Sequence, residues 1–163
     1  MQKQNISSIM KKQTLAIDFT IFDYSELSPE EQDLIQQAQQ SLLHSYSPYS
    51  HFKVGAAVLT QSKKVVIGSN QENIAYPSGL CAERTALFSA CAMGEKPVAI
   101  AIAAQNEQGN QATAYPCGSC RQVLAEIENN ISKQDIKVLI LREDNSVICF
   151  NNAKDLLPFS FNF

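Results

Sequence analysis

Three cysteines in two short segments constrain this chain more than any other feature. Cys81 stands in Cys81-Ala82-Glu83-Arg84, and the other two stand in Pro116-Cys117-Gly118-Ser119-Cys120-Arg121-Gln122. A Cys-x-x-Cys pair with a distant third Cys is metal-ligand spacing, and zinc is the usual occupant. A purely structural zinc site more often carries a fourth thiol or imidazole. Three thiols with an acid, Glu83, two residues after the first describe an open site whose fourth position holds water. The five cysteines, an odd number, fit a reducing compartment better than a disulfide scaffold. Cys91 and Cys149 lie outside both segments and read as buried core, since a free Cys packs as a small hydrophobe.

At 163 residues the chain is long enough for one domain with a substantial core. Its 45% apolar and 18% charged residues are ordinary for a soluble globular protein. A net charge of −3 and the lack of a long Lys/Arg run argue against a nucleic-acid partner. No apolar run approaches the roughly 20 residues that span a bilayer. No apolar segment of signal-peptide type follows the polar start Met1 to Gln13. The expected location is therefore cytoplasmic, with no membrane partner.

Read in order, Met1 to Lys12 is a tail. Leu15, Ile17, Phe19 and Ile21 alternate with Ala16, Asp18 and Thr20 and predict a half-buried strand that ends at Asp23-Tyr24-Ser25. Ser28-Pro29-Glu30-Glu31 predicts a helix start with a capping box, and Leu34, Ile35, Ala38, Leu42 and Leu43 give its apolar stripe. Pro48 limits that helix to about Ser45. Val54 to Leu59 is a strand whose small residues imply a close backbone or ligand. Gln61-Ser62-Lys63 turns it into a return strand, Lys64 to Gly68.

A polar approach, Asn70 to Gly79, then reaches Cys81. A helix follows to Met93, with Leu87 and Ala90 inward and Gly94 as its C-cap. Val98 to Ala103 is a buried strand, Asn106 to Ala114 a loop, and Gly118 to Asn129 a helix. Strands at Ile136 to Leu141 and Val147 to Phe150 precede a helical turn at Asn152 to Leu157. This order predicts a three-layer α/β/α sandwich with a mixed central sheet of about five strands, plus the extra N-terminal strand. Residues 1–27 form a tail and added strand, and 28–163 form the main domain. Both cysteine segments open helices, so they should meet at one end of the sheet, where α/β ligand sites form.

The residue types suit one chemistry. A thiolate at a helix N-terminus has a lowered pKa and is ready for metal. Arg84 and Arg121 follow the ligands closely enough to donate to sulfur and offset the charge of a three-thiolate centre. Glu83 can reach a water at the open position without being a ligand, which is general acid/base placement. His44 and His51 read as a helix-end and a loop histidine, not as ligands.

Taken together, Cys81-Ala82-Glu83-Arg84-Thr85-Ala86 and Pro116-Cys117-Gly118-Ser119-Cys120-Arg121-Gln122 resemble the small three-cysteine cytidine deaminases, within the general zinc deaminase pattern. Further segments agree with the nucleoside branch: Pro48 to Phe52 with Val54-Gly55-Ala56-Ala57, Asn70-Gln71-Glu72-Asn73, Ala75 to Leu80, and Leu156 to Phe161. The resemblance runs from about Ser28 to Phe161. It implies that Cys81, Cys117 and Cys120 hold one Zn²⁺ per chain and that Glu83 shuttles protons. It implies that the Ala82 amide faces the pyrimidine O2, that Phe52 lies against the base, and that Asn70 and Glu72 bind the ribose 3′-hydroxyl. It further implies a homotetramer with shared active sites, in which Tyr76 and Phe161 reach a neighbour's substrate. The reaction would be attack of an activated water at C4 of cytidine or 2′-deoxycytidine and loss of ammonia, in pyrimidine salvage.

Other readings share parts of the pattern. A blasticidin-type nucleoside deaminase has the same zinc motif. A polynucleotide cytosine deaminase wants a basic groove, which the net charge of −3 speaks against. A structural zinc-binding module would leave Glu83 without a role.

Overall fold

Ser28 starts the first helix as predicted. Its hydroxyl accepts from the Glu31 amide at 3.4 Å, and the Glu31 carboxylate accepts from the Ser28 amide at 3.0 Å, so the capping box is complete. Pro29 takes the first helical position, where a missing N–H costs nothing. In the computed structural model, which describes residues 11–161, this helix α1 spans Pro29–Ser41. A 3₁₀ turn at Leu42–His44 ends it, as the proline downstream requires. Leu34, Ile35 and Ala38 are buried, but Leu43 is 83% exposed. The tighter turn shifts the spacing there and carries Leu43 off the apolar stripe.

Among the described residues, seven strands form one sheet: β1 (Thr20–Asp23), β2 (Lys53–Thr60), β3 (Val65–Ser69), β4 (Pro97–Gln105), β5 (Gln111–Ala112), β6 (Lys137–Leu141) and β7 (Ser146–Phe150). Their order across the sheet is β1-β7-β6-β4-β2-β3, with the short β5 paired to β4. Among the described strand pairs β4–β6 alone is parallel, and the crossover between them carries helix α3 (Gly118–Glu126). Helix α2 (Ala82–Ala92) joins β3 to β4. The two-residue β5 lies inside the stretch expected to be a loop.

Strand alternation divides the core in two. Ala56, Val58, Ile100, Ile102, Val138 and Ile140 point to one face, under Ala86, Leu87 and Ala90 of α2 and Leu124 of α3. Ala57, Ala101, Ala103, Leu139 and Val147 point to the other, under Leu34, Ile35 and Ala38 of α1. Each fully buried Leu, Ile or Val contributes about 1.5–3 kcal/mol of transfer free energy. The three-layer α/β/α sandwich with a mixed sheet is therefore the observed architecture. Cys149 is buried as expected, whereas Cys91 is only partly buried.

The N-terminal strand differs in position. Residues 11–19 carry no regular structure, and Leu15 and Ile17 are exposed. Pairing starts at Thr20, opposite Cys149, and β7 ends one residue later at Phe150. Residues before Phe19 therefore have no partner strand to run beside, whatever their alternation. Phe19 forms a ring pair with Phe150 at 5.7 Å. Most of the expected tail, Met1–Met10, lies outside the described residues. Among the described residues, no helix is long and apolar enough to cross a membrane.

Candidate metal centre and active site

Helices α2 and α3 sit on the same face of the sheet and begin close together. Cys81 and Cys117 are their N-cap residues, both with extended backbone, and Cys120 follows in the first turn of α3. At that position a side chain faces the partial positive charge and free amides of the helix start. The glycine of β3 sets the seat of α2. A Cβ on Gly68 would lie 2.7 Å from the Ala82 carbonyl oxygen and 2.5 Å from the Ala86 nitrogen, so α2 rests directly on strand backbone. At its far end α2 closes with Gly94 at φ 75°; the Gly94 amide bonds the Cys91 carbonyl and the Glu95 amide bonds the Ala90 carbonyl.

The three sulfurs lie within 4.8 Å of one another. Cys81 Sγ is 3.7 Å from Cys117 Sγ, and Cys117 Sγ is 3.4 Å from Cys120 Sγ. Tetrahedral zinc–sulfur bonds of about 2.3 Å place sulfurs about 3.8 Å apart, so the donor set fits zinc. The Cys120 thiol and then the Arg84 guanidinium hold Cys81 down to about 5, against the opposing effect of burial. Cys120 is shifted the other way, by its hydrogen bond to Cys81 and by burial. A thiol lowered in this way favours metal capture.

Arg84 is the cation on this centre. Its Nη2 donates to Cys81 Sγ at 3.7 Å, and its Nε is buried with no partner among the described residues. Arg121 takes another course. Its Nε donates to the Pro116 carbonyl at 2.8 Å and its Nη1 to the Leu156 carbonyl at 3.3 Å. It holds the loop entering Cys117 and the C-terminal turn, not a sulfur. Glu83 is 4% exposed, and burial first, then the nearby Cys81 charge, pushes its carboxyl up to about 7. Ala82 is fully buried at the first position of α2, where helix N–H groups have no intrahelical partner.

A cavity of about 500 Å³ opens beside Cys81 and Arg84 and is lined by Tyr49, Ser50, Glu72 and Tyr76 among others. Glu72 thus lines the same cavity as Cys81. Its Oε2 accepts the Tyr49 amide at 2.9 Å and the Ser50 amide at 3.2 Å, and its Oε1 accepts the Ser50 hydroxyl. Asn70 is locked by Ser45 Oγ and the Val54 amide on Oδ1, while its Nδ2 donates to the Phe52 carbonyl. Phe52 is partly buried at the mouth of β2. Tyr76 is exposed and meets Tyr49 edge-on at 5.9 Å. Phe161 is exposed, and its backbone is held at both polar atoms by the Gln122 side chain, at 2.9 and 2.7 Å. Sequence reasoning assigned no role to Ser50 or Gln122. Both sit inside the quoted motifs, but only the fold shows what they bond.

Fold and site together define a three-layer α/β protein with a three-thiol metal centre at two helix starts and a buried acid beside it. The family described as the cytidine and deoxycytidylate deaminase zinc-binding region matches residues 28–134, and the chain belongs to that family. It is 46% identical over 135 residues to a cytidine deaminase of Halalkalibacterium halodurans, an overlap of 81% of this chain and 94% of that one. It is 37% identical over 128 residues to a probable cytidine deaminase of Dictyostelium discoideum, covering 78% and 81% of the two chains. The solved cytidine deaminase of Burkholderia pseudomallei superposes with a TM-score of 0.68 at 40% identity, covering 79% of this chain and 97% of that one.

Proposed function

We propose that this chain is a zinc-dependent deaminase that hydrolyses cytidine and 2′-deoxycytidine to uridine and 2′-deoxyuridine with release of ammonia. The observation that carries the reading is Glu83: a buried carboxyl, raised to about 7, at the start of the helix that bears Cys81. A zinc ion held by Cys81, Cys117 and Cys120 would supply Lewis-acid activation of water.

The remaining steps belong to side chains and amides. Glu83 takes the proton of the attacking water, delivers a proton to ring N3, and passes one to the departing amine. A carboxyl titrating near neutrality can do both halves of this work. The Ala82 amide receives the pyrimidine O2, and Phe52 covers the base. Asn70 has one Nδ2 hydrogen left after Phe52, and Glu72 only accepts. A single ribose 3′-hydroxyl can accept from the first and donate to the second, which suits a free nucleoside.

The deaminase unit would comprise residues 28–163, with the segment before it adding an edge strand. The chain would work as a cytoplasmic homotetramer in pyrimidine salvage, each site completed by a neighbour's Tyr76 and Phe161. Supporting this, Tyr76 is 76% exposed and lines the cavity. Zinc-loaded protein mixed with cytidine is expected to lose absorbance at the cytosine band and release ammonia in step. Folded, zinc-loaded protein that leaves cytidine unchanged contradicts the reading.

A further inference from the structure

Resting on the proposed sugar contact of Glu72, we infer that Ser50 is a positioning residue that sets the carboxylate of Glu72 for the ribose. Two backbone amides, Tyr49 and Ser50, anchor a single oxygen, Oε2, at 2.9 and 3.2 Å. One anchored oxygen leaves the carboxylate plane free to turn about that anchor. The Ser50 hydroxyl holds the other oxygen, Oε1, and supplies the second fixed point. A carboxylate oxygen accepts through two lone pairs, so Oε1 keeps one for a substrate hydroxyl while Ser50 occupies the other. Ser50 and Glu72 both line the cavity that adjoins Cys81 and Arg84.

The same hydroxyl is bonded twice. Ser50 Oγ accepts the Phe52 amide at 3.1 Å while it donates to Glu72. The hydroxyl that holds Glu72 is therefore itself held in place by the backbone at Phe52. Glu72 is shifted below its ordinary carboxyl range; slight burial opposes this, and the Ser50 hydroxyl followed by the two amides outweighs it. Among the described residues, Ser50 hydrogen-bonds neither the three cysteines nor Glu83.

The test compares cytidine with 2′,3′-dideoxycytidine, which has no hydroxyl for Glu72. Ser50→Ala is expected to raise KM for cytidine about threefold to tenfold, the equivalent of freeing one side chain, with kcat changed less than about twofold. KM for the dideoxy substrate is expected to rise by less than about twofold, and Ser50→Thr to restore cytidine KM. An equal penalty on both substrates, or an unchanged cytidine KM, overturns the inference while wild-type turnover stands. Wild-type protein that processes neither substrate overturns the functional reading, and the inference with it. If the alanine variant melts well below wild type, Ser50→Cys, close in size but a weak donor, is expected to show the same selective rise, and its absence overturns the inference.

Discussion

Gly68 of β3 lies against the backbone of Ala86 in α2, so close that an added Cβ would come within 2.5 Å of the Ala86 nitrogen. The contact fixes the height of the helix whose first turn carries Cys81, Ala82 and Glu83. Gly68→Ala must push α2 outward, because the facing atoms are backbone. The expected cost is about 1–3 kcal/mol in urea unfolding, with weaker zinc retention as Cys81 moves from its two partners. Unchanged stability and zinc affinity would show that α2 is seated by something else.

Glu128 holds the chain after α3 to the C-terminal turn. It is 3% exposed and accepts the amides of Ile136 at 2.8 Å, Ala153 at 2.6 Å and Lys154 at 3.2 Å. Glu128→Ala strands these donors and is expected to destabilise the fold by roughly 3–5 kcal/mol, with Glu128→Gln costing less because it keeps one accepting oxygen. Equal denaturation midpoints for wild type and the alanine variant would contradict this.

Arg84 neutralises part of the charge on the thiol centre through Cys81. Arg84→Ala is expected to weaken zinc binding about 10–100-fold in competition with a chromogenic chelator. The same competition curve for both proteins would remove Arg84 from the centre.

Glu31 links stability to acid. Burial alone would raise its pKa, but hydrogen bonds from Lys137, at 2.7 Å, and from Ser28 prevail and lower it below the ordinary 4.5. A carboxyl lowered by folding stabilises fully above its unfolded pKa, and that contribution disappears as pH falls through the folded value. Stability is therefore expected to decline from about pH 4.5 downward, and Glu31→Gln to flatten that decline. Parallel acid limbs for the two proteins would show that the cap is electrostatically silent.

Local chemistry made much of the fold legible in advance. Ser28 and Glu31 named their own helix start, and Gly94 its helix end, because each bond partner lies within a few residues. The three cysteines were legible because metal ligation restricts both residue type and spacing. The alternation at Leu15 to Ile21 started its strand several residues early while its end at Asp23 held, since the start of pairing depends on where β7 ends and not on the segment itself. Arg121 was expected near sulfur from its position in the motif, yet its guanidinium bonds Leu156, a residue brought near only by the folded C-terminus. Ser50 shows the same limit: its partner Glu72 is distant in sequence, and nothing local announces their bond.

Zinc content measured together with cytidine turnover, in wild type and in Glu83→Gln, tests the role of Glu83 most directly. The glutamine fills the same buried space but cannot carry a proton. One zinc per chain is expected in both proteins, with turnover in Glu83→Gln lower by about 10²–10⁴-fold or more. Full activity in the zinc-loaded glutamine variant would contradict that role.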